Sequence, residues 1–490
     1  HFVLRNRMNQ RNFIRQLSVL CAATAALTAA TARADVKLPA IFGDHMVLQR
    51  DQKVPVWGWA DEDELVIVQF HDQVVQTRAK GGKWRVDLAP MKASATGKDF
   101  LVLGKNRVEL KDVVVGEVWF CSGQSNMEWS IAASKNAKDE IAAANNPRVR
   151  HFKVPHVTST KPETEVKTDG GWKPTTPEVA GNFTAVGYYF ARAIQKEIDV
   201  PIGLIGCNWG GTRIEPWTPP VGFQQVPALK NISTNLANFP QKNANGAINH
   251  QSALAIYNAM VHPLVPFAIR GALWYQGEAN GPRWLQYRRL LPALIADWRE
   301  RFGVGDFPFL IVSLANYNPL QTKPVEPGWA EIRESQWRTV RTVPNTGMAM
   351  TIDLGDGGDI HPRNKQEVGR RLALVARKIV YGEMDLITSG PEFTEMQIEP
   401  PKGDRIRLYF KNLGGGLMIK PGDEKLTGFV VAGPDKEFKW ADAVIDGDTI
   451  VVSSPEVPLP KYIRYGWAWN PIGNLYNAAG LPAITFRTDE

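Results

Sequence analysis

The chain has 490 residues, of which 44% are apolar and 22% charged, an ordinary composition for a soluble globular protein of two to four domains. Its formal charge of +7 comes largely from the beginning of the chain, because the first 34 residues contain five arginines and no acidic residue. The remainder carries 52 basic and 50 acidic residues, so the composition gives no reason to expect a nucleic-acid partner.

Residues 1–34 have the features of upstream residues followed by a signal peptide. Arg11 and Arg15 supply a positive region, residues 17–30 supply an apolar region, and Ala34 closes an Ala-Arg-Ala cleavage site. We therefore expect an exported protein that is periplasmic or extracellular after cleavage near Ala34. Because no other stretch approaches the ~20 apolar residues of a membrane span, no membrane span is expected.

Two cysteines, Cys121 and Cys207, would remain in the mature chain. Both fall in predicted strands, which favours buried thiols. A single disulfide between them is the alternative in an oxidising compartment.

Two β-rich segments flank a segment in which strands and helices alternate. Residues 35–113 contain short alternating apolar runs separated by turn residues, a pattern typical of a small β-sandwich or jelly roll. From 114 to 388 the alternation of strands and helical patterns indicates a parallel sheet, with an irregular excursion at about 213–252. Residues 389–490 return to a β pattern and predict a second small sandwich.

The stretch around which the chain is organised is VVVGEVWFCSGQSNMEWS, at residues 113–130. It predicts a buried strand, a small-residue turn and a helix start, with Ser125 at the carboxyl end of the strand. A serine in this position can act as a nucleophile while its own N–H helps to hold an oxyanion. Gly123 permits the tight turn. The alternative is an ordinary strand-to-helix turn in which Ser125 caps the helix.

Three further stretches also follow predicted parallel strands: Gly210-Gly211, Gln276-Gly277-Glu278 and Asp359-Ile360-His361. The carboxyl ends of such strands line one crevice, so the groups needed for acyl transfer would meet there. In this hypothesis Ser125 attacks and His361 is the general base, oriented by Asp359. The N–H groups of Ser125 and Gly211, with an amide side chain from the third stretch, hold the oxyanion.

Alternatives for the acid and for the use of this cluster stay open. Asp353 and Asp356 also lie near His361, and either of them or a backbone carbonyl could orient its ring. A metal site formed by Asp356, Asp359 and His361 is disfavoured because it lacks a second His or Cys cluster. Glu278 is expected to be structural, through hydrogen bonds to backbone near the serine turn.

The other histidines are less well placed for catalysis. His151 and His156, for example, lie in or near predicted strands or turns but not at the end of a predicted parallel strand. His250 lies in the irregular excursion and could reach the site only from outside it. His361 is the histidine that sits in a Gly- and Asp-rich turn at a strand end.

Six stretches resemble bacterial sialate O-acetylesterase-like proteins, which are carbohydrate acetylesterases of the SGNH-hydrolase superfamily. They are IFGDHMVLQR (41–50), GQSNMEW (123–129), NWGGTRIEPW (208–217), WYQGEAN (274–280), DLGDGGDIHPRNKQEVGRRLA (353–373) and YGWAWNPIGNLYNAAGLPA (465–483). The resemblance covers essentially the whole mature chain.

The resemblance implies an α/β fold, in which a flavodoxin-like SGNH-hydrolase domain with a parallel sheet is flanked by N- and C-terminal β-sandwich domains. It also implies removal of acetyl groups from carbohydrate hydroxyls by a serine mechanism with an acetyl-enzyme intermediate and without a metal or other cofactor. Carried over by motif, Ser125 is the nucleophile and His361 the base, while Gly211 and Gln276 serve the oxyanion.

The chain departs from the superfamily pattern at two positions. The usual Asp-x-x-His spacing would place the acid at Gly358, whereas here Asp359 stands two residues before the histidine. The usual oxyanion asparagine falls at Ala279, so Gln276 or Asn280 must replace it, and Gln276 is favoured.

The expected partner is an O-acetylated carbohydrate. The family name suggests O-acetylated sialic acid, and acetylated xylan or xyloglucan is the alternative. The candidate substrate contacts are Asn126, Arg213, Trp217 and Asn280. Arg213 is suited to a carboxylate. Trp217, like Trp209 and the tail tryptophans, is suited either to stacking on a sugar face or to packing within the protein. A non-catalytic carbohydrate-binding protein on a hydrolase scaffold is the alternative of another class.

Overall fold

The computed structural model describes residues 35–324 and 328–489. The predicted leader at 1–34 lies outside the described residues, so export stays a prediction. The described chain divides into two compact units. The first comprises residues 35–38, 57–86 and 101–109, and the second comprises residues 39–56, 87–100 and the described residues from 110 onward.

Several strands of the N-terminal part alternate between more and less buried positions, as the sequence predicts. In β3, for example, Val66, Val68 and Phe70 are buried, and the strand pairs antiparallel with β4, with Leu65 opposite Arg78. The strands in chain order are β1 (Val47–Gln49), β2 (Val54–Trp59), β3 (Leu65–Phe70), β4 (Gln73–Arg78), β5 (Lys83–Leu88), β6 (Ser94–Leu103) and β7 (Arg107–Gly123).

A mixed, mainly parallel sheet forms the centre of the second unit. Its strand order is β13-β12-β11-β7-β10-β8-β9, and β9 is the strand that runs antiparallel to its neighbour. The remaining strands of this sheet are β8 (Asn146–Lys153), β9 (Trp172–Thr175), β10 (Ile202–Asn208), β11 (Gly271–Tyr275), β12 (Phe309–Val312) and β13 (Thr346–Ala349).

The central strand β7 is apolar at successive positions because helices cover both faces of the sheet. Neighbouring side chains of a strand point to opposite faces. Trp119 packs edge-on against Phe190 on one face, with ring centroids 4.9 Å apart, and Phe120 packs against Trp298 on the other, at 5.4 Å. The helices are α1 (Ser125–Glu128), α2 (Ala137–Ala142), α3 (Pro177–Ala180), α4 (Ala185–Ile198), α5 (Lys230–Thr234), α6 (Trp284–Phe302), α7 (Gly328–Thr342) and α8 (Lys365–Ile379).

The strand register brings three of the predicted site stretches to one edge of the sheet. Gly123, the last residue of β7, lies opposite Asn208 of β10 on one side and Tyr275 of β11 on the other. The segments that follow these residues therefore start side by side, as the rule for parallel sheets predicts.

The predicted irregular excursion contains short helices rather than unstructured chain. Besides α5, the turns of 3₁₀ helix in it are Glu215–Trp217, Pro220–Gln225, Pro227–Leu229 and Leu236–Asn238. Prolines begin several of these turns, since proline fixes a helical φ and needs no donor at that position.

Additional antiparallel β-sheets form the C-terminal part, as predicted. The sheets β14-β15-β20-β19 and β18-β17-β21-β23 share a core that includes Leu408, Phe429, Val452 and Ile463, and β16 pairs with β22. These strands are β14 (Glu392–Ile398), β15 (Arg405–Lys411), β16 (Leu417–Ile419), β17 (Phe429–Ala432), β18 (Lys439–Trp440), β19 (Asp442–Asp446), β20 (Thr449–Ser453), β21 (Tyr462–Tyr465), β22 (Leu475–Asn477) and β23 (Phe486–Arg487).

The cysteines follow the favoured prediction, because Cys121 and Cys207 are free and fully buried in β7 and β10. Burial away from charge raises the pKa of both thiols. Across the described part of the chain, the helices are all too short or too polar to cross a bilayer.

Candidate active site

The serine turn begins where β7 ends. Gly123 has φ +137°, and a Cβ at that residue would lie 2.1 Å from the carbonyl oxygen of Tyr275, so the turn requires glycine. The N–H of Gln124 donates to the same carbonyl at 2.9 Å, and its side-chain Oε1 faces the N–H groups of Gly277 and Ala279 at 3.3 and 3.4 Å. These bonds hold the turn against the neighbouring strand, with Ser125 as the first residue of α1.

The predicted nucleophile, base and acid lie together. His361 Nε2 is 3.0 Å from the Oγ of Ser125, and its Nδ1 is 3.2 Å from Oδ1 of Asp359. The same Oδ1 accepts the backbone N–H of His361 at 2.9 Å, so the carboxylate holds both the ring and the loop that carries it. Residues 236 positions apart in the chain are thus brought within hydrogen-bond distance in the order that acyl transfer requires.

The other candidate acids are engaged elsewhere. Asp353 forms a two-bond ion pair with Arg371, at 2.6 and 2.8 Å, and also accepts from Tyr476. Asp356 caps its own turn by accepting the N–H of Gly358 at 2.8 Å. The carboxylate that contacts the ring of His361 is therefore that of Asp359.

An aromatic residue fixes the plane of the catalytic ring. The indole of Trp129 stacks on the imidazole of His361, with centroids 4.5 Å apart and an angle of 17° between the planes. Trp129 belongs to the same motif as Ser125, so one short segment supplies the serine and the stacking surface for its base.

Two backbone N–H groups are suited to an oxyanion. Neither Ser125 nor Gly211 has a protein acceptor for its N–H among the residues that the structure describes. Gly210 differs, because its N–H donates to Oε2 of Glu128 at 2.6 Å. A Cβ on Gly210 would lie 3.3 Å from the Cβ of Ser125, so glycine lets this loop approach the nucleophile closely.

The predicted third donor, Gln276, is not available in this arrangement. Its side chain is 0% exposed, and its Nε2 already donates to the carbonyl of Thr212 at 3.2 Å and to Oδ1 of Asn280 at 2.8 Å. Both amide hydrogens are therefore used to tie the loop after β11 to the loop after β10. The role of Gln276 is structural in this geometry.

Three of the four predicted substrate contacts are buried, which corrects that prediction. Asn126, Trp217 and Asn280 are 1%, 0% and 0% exposed. Trp217 packs edge-on against Trp274, and Asn280 bonds the N–H of Ile214 at 2.9 Å. Their side chains form the floor of the site rather than its surface.

The fourth, Arg213, is half-buried and bound to its own loop. Its Nε and Nη2 contact the side-chain oxygen and carbonyl of Gln251, each at 3.4 Å. The Nε2 of Gln251 in turn donates to the carbonyl of Gly211 at 2.7 Å. Arg213 thus supports the loop that carries Gly211, and its side chain is only partly buried.

Trp209 cannot offer an indole face to a sugar, because two imidazoles cover it. His156 stacks on one side at 4.4 Å and His250 on the other at 5.1 Å, with interplanar angles of 4° and 8°. His156 Nε2 also pairs with Oε1 of Glu128 at 2.8 Å. The tail residues are also packed: Trp467 is buried, and Trp469 stacks on Trp329 at 4.5 Å.

Sequence reasoning missed Glu128, Trp129 and Lys365 as parts of the site. All three lie inside motifs quoted for the resemblance, within a few residues of Ser125 or His361. Their position inside these motifs indicated that they belong to the site. The neighbouring sequence did not show which atoms they would contact.

Among the described residues no group of three or more His, Cys, Asp or Glu side chains is arranged to hold a metal ion. Of the proposed metal set, Asp356 and Asp359 are directed to backbone N–H groups. The donors that converge on Ser125 are therefore an imidazole and backbone N–H groups, which suit acyl transfer.

Comparison with known proteins shows which family the chain is similar to. A family model described as "Carbohydrate esterase, sialic acid-specific acetylesterase" matches residues 115–378. Sialate O-acetylesterases of Pongo abelii and Homo sapiens are 31% and 30% identical over 504 aligned positions, covering 92% of this chain and 92% of each relative. The crystal structure of a carbohydrate acetylesterase from Xanthomonas citri is 38% identical with a TM-score of 0.83, covering 93% of this chain and 100% of that one.

Proposed function

The chain belongs to the family of sialic acid-specific carbohydrate acetylesterases and is an esterase, and from this premise we propose that Ser125, His361 and Asp359 hydrolyse O-acetyl esters on sugar hydroxyls. The observation that carries this proposal is the unbroken contact from Ser125 Oγ through both nitrogens of His361 to Asp359. Catalysis by such a set depends on geometry rather than on fold.

In the first half-reaction, Ser125 Oγ attacks the acetyl carbonyl carbon while its proton passes to His361 Nε2. The carbonyl oxygen becomes an oxyanion, which the N–H groups of Ser125 and Gly211 stabilise. Collapse of the tetrahedral intermediate breaks the bond to the sugar oxygen, which takes the proton from His361. An acetyl group then remains on Ser125.

In the second half-reaction, water attacks the acetyl-serine and His361 accepts its proton. The bond between the acetyl carbon and Ser125 Oγ then breaks, Oγ takes the proton from His361, and acetic acid leaves and ionises to acetate. Asp359 keeps the ring in the tautomer with the proton on Nδ1 and stabilises the imidazolium that forms in each half-reaction.

The test is acetate release by the purified protein, with Ser125→Ala as the control. The substrates are O-acetylated sialic acid, acetylated xylan fragments and acetylated xyloglucan fragments. We expect release from at least one substrate and none from Ser125→Ala. Equal release by the variant would overturn the serine mechanism, and labelling of Ser125 by a fluorophosphonate without release from any acetylated sugar would overturn the carbohydrate assignment.

O-acetylated sialic acid is our first choice of substrate, because the mammalian relatives carry that activity in their names. Arg213, which is only partly buried beside the loop that carries Gly211, is a suitable partner for the sialic acid carboxylate. Release from the plant fragments alone would replace this choice by a plant-polysaccharide substrate.

We infer further that the central sheet and its helices form an SGNH-hydrolase domain and that the protein is exported. Export is supported by the apolar and basic pattern of residues 1–34. Sequencing the N-terminus of the protein secreted by its own host tests it, and the expected first residue is Asp35. Recovery of the uncleaved chain from the cytoplasm would contradict it.

A further inference from the structure

A polar network of three side chains lies beneath the catalytic pair. Asn126 Nδ2 donates to Oε1 of Glu278 at 2.7 Å, and Asn126 Oδ1 accepts from the Nζ of Lys365. Asn126 and Lys365 are 1% and 0% exposed, and Oε2 of Glu278 is shielded from solvent. A buried ammonium and carboxylate joined through one amide require a specific arrangement, because each charge is costly without its partner.

The amide of Asn126 also links the two catalytic loops. Its Nδ2 donates to the carbonyl of Ile360 at 3.1 Å, in addition to Glu278. Asn126 is the residue next to the nucleophile, and Ile360 is the residue next to the base. One side chain therefore connects the backbones on which Ser125 and His361 stand, although it touches neither reacting atom.

Lys365 and Glu278 fix the orientation of that amide. Lys365 has only donors, so it requires the oxygen of Asn126, and the Glu278 carboxylate requires the nitrogen. A rotation of the amide by 180° would break both contacts and place the oxygen against the carbonyl of Ile360. The donor toward Ile360 is thus set by two ionisable groups, Lys365 and Glu278, which are more than 80 residues apart in the chain.

The surroundings of Lys365 act on its ammonium group in opposite directions. Its Nζ lies 5.2 Å from the ring centroid of Tyr275 and 5.9 Å from that of Trp129, and the carboxylates that face it are Glu278 and Asp359. Burial lowers the pKa of Lys365 to about 7, against the effect of those two carboxylates, and burial raises the pKa of Glu278. Trp129 is also the residue on whose indole His361 stacks, so the Nζ of Lys365 lies over the same ring that packs against the base.

We propose that Asn126, oriented by Lys365 and Glu278, is a positioning residue that holds the serine turn and the histidine loop at their reactive separation. A purely structural network would contribute to the stability of the fold alone. The bond to Ile360 makes a separate prediction, because it acts on the distance between Ser125 and His361. A displacement of about 1 Å in such a pair costs on the order of 10²-fold in rate.

The test exchanges the amide at position 126 and the carboxylate at position 278. Asn126→Asp alone places a second carboxylate against Glu278 and should lower both the thermal midpoint and kcat. Combining Asn126→Asp with Glu278→Gln restores one carboxylate, one ammonium and one amide, with the hydrogen bond between the two positions reversed. It does not restore the donor to Ile360, since a carboxylate faces that carbonyl.

We expect the double variant to regain most of the thermal midpoint while kcat stays about 10²-fold below that of the unmodified protein, with KM changed by less than about threefold. Recovery of kcat to within about threefold, together with the midpoint, would overturn the proposal. The same variants are also treated with a fluorophosphonate, whose rate of attachment to Ser125 should follow kcat.

Lys365→Met tests the orientation of the amide independently of that exchange. Its matched control is Lys378→Met in the same helix, where the Nζ of Lys378 donates to the carbonyl of Leu386 at 3.1 Å, away from the site. We expect kcat of Lys365→Met to fall by at least about tenfold relative to Lys378→Met, at similar KM. Equal kcat in the two variants would overturn the proposal.

Since this inference rests on the proposed function, Ser125→Ala is assayed in the same experiment. Retained acetate release by Ser125→Ala would show that the serine mechanism fails. Loss of release by Ser125→Ala, with full activity of Asn126→Asp and Lys365→Met, would overturn the positioning network alone.

Discussion

Two histidines, one in a loop and one in a strand, stack on aromatic rings in nearly the same way, yet their hydrogen-bond partners and burial differ. His361 stacks on Trp129 at 4.5 Å and His151 on Phe183 at 4.6 Å, each at 17°. His361 lies in the loop before α8, with a partner for each ring nitrogen. His151 lies within β8, where its Nε2 is buried without a partner among the described residues.

The difference shows that the partners of the ring, rather than its stacking, decide what a histidine does. Burial, together with the nearby Lys153 and Lys173, lowers the pKa of His151 to about 3, so this ring is neutral at ordinary pH. A ring that cannot gain a proton cannot act as a general base. His361, in contrast, has a carboxylate oxygen at one ring nitrogen and a hydroxyl at the other.

The largest expected effect is the loss of the base. His361→Ala should lower kcat by about 10⁶-fold, as the loss of the base does in other serine hydrolases, while the thermal midpoint changes little. Acetate release measures it, with Trp129 left in place so that the packing beside the cavity is kept. A loss of less than about 10²-fold would mean that another group accepts the serine proton.

A smaller effect is expected from the acid. Asp359→Asn keeps an oxygen for the N–H of His361 but removes the charge, which in buried triads costs about 10⁴-fold. The side chain of Asp359 is 36% exposed, so we expect a loss between about 10² and 10⁴ in kcat because water screens part of its effect.

The control for that variant is Asp356→Asn in the same loop, whose carboxylate contacts the N–H of Gly358 and not the ring. It should retain activity within about threefold. If both variants lost activity equally, the hypothesis that the carboxylate of Asp359 orients His361 would be wrong.

The smallest effect on activity is expected at the other histidine. His151→Leu replaces a neutral buried ring by an apolar side chain of similar volume. It should leave kcat at pH 7 within about twofold of that of the unmodified protein, because β8 contributes no reacting group. Its effect appears instead in the pH dependence of stability. A change in kcat comparable to that of His361→Ala would contradict the comparison of the two rings.

The sign of that dependence follows from the lowered pKa. Well above pH 6.5 the ring is neutral in both the folded and the unfolded state and contributes no pH dependence. As the pH falls through 6.5 toward 3, only the unfolded chain gains the proton, so stability is lost. Between pH 7 and pH 5 this costs about 2 kcal/mol of unfolding free energy, and His151→Leu should lack that loss. Urea unfolding at both pH values measures it, and equal losses in the two proteins would exclude this role for His151.

Much of the architecture could be predicted from periodicity alone. The apolar run before Ser122 predicts a strand covered on both faces, and Trp119 and Phe120 do pack on helices of opposite faces. Local backbone chemistry likewise placed Ser125 and Gly211 just after the ends of parallel strands, because such strands must present those ends at one edge, whereas His361 follows β13 only after a longer loop. The catalytic roles of these residues stay predictions that the proposed variants test.

The orientation of polar side chains could not be predicted in the same way. Asn126 and Gln276 occupy motif positions that resemble substrate or oxyanion contacts, yet both amides are buried and their N–H groups already donate to other residues. An amide beside a serine looks the same in the sequence whether it faces the crevice or the core. Its direction depends on partners such as Lys365, which is 239 residues away from Asn126.

The sequence by itself therefore determined the strand and helix order, the burial of the two thiols and the residues that stand at the strand ends, since these depend on local periodicity and turn chemistry. The tertiary structure alone decided that Asp359, rather than Asp353 or Asp356, contacts His361 and that Trp209 has no free face. Those outcomes depend on which side chains the fold brings next to each donor, acceptor or ring face. Spacing along the chain does not specify these contacts.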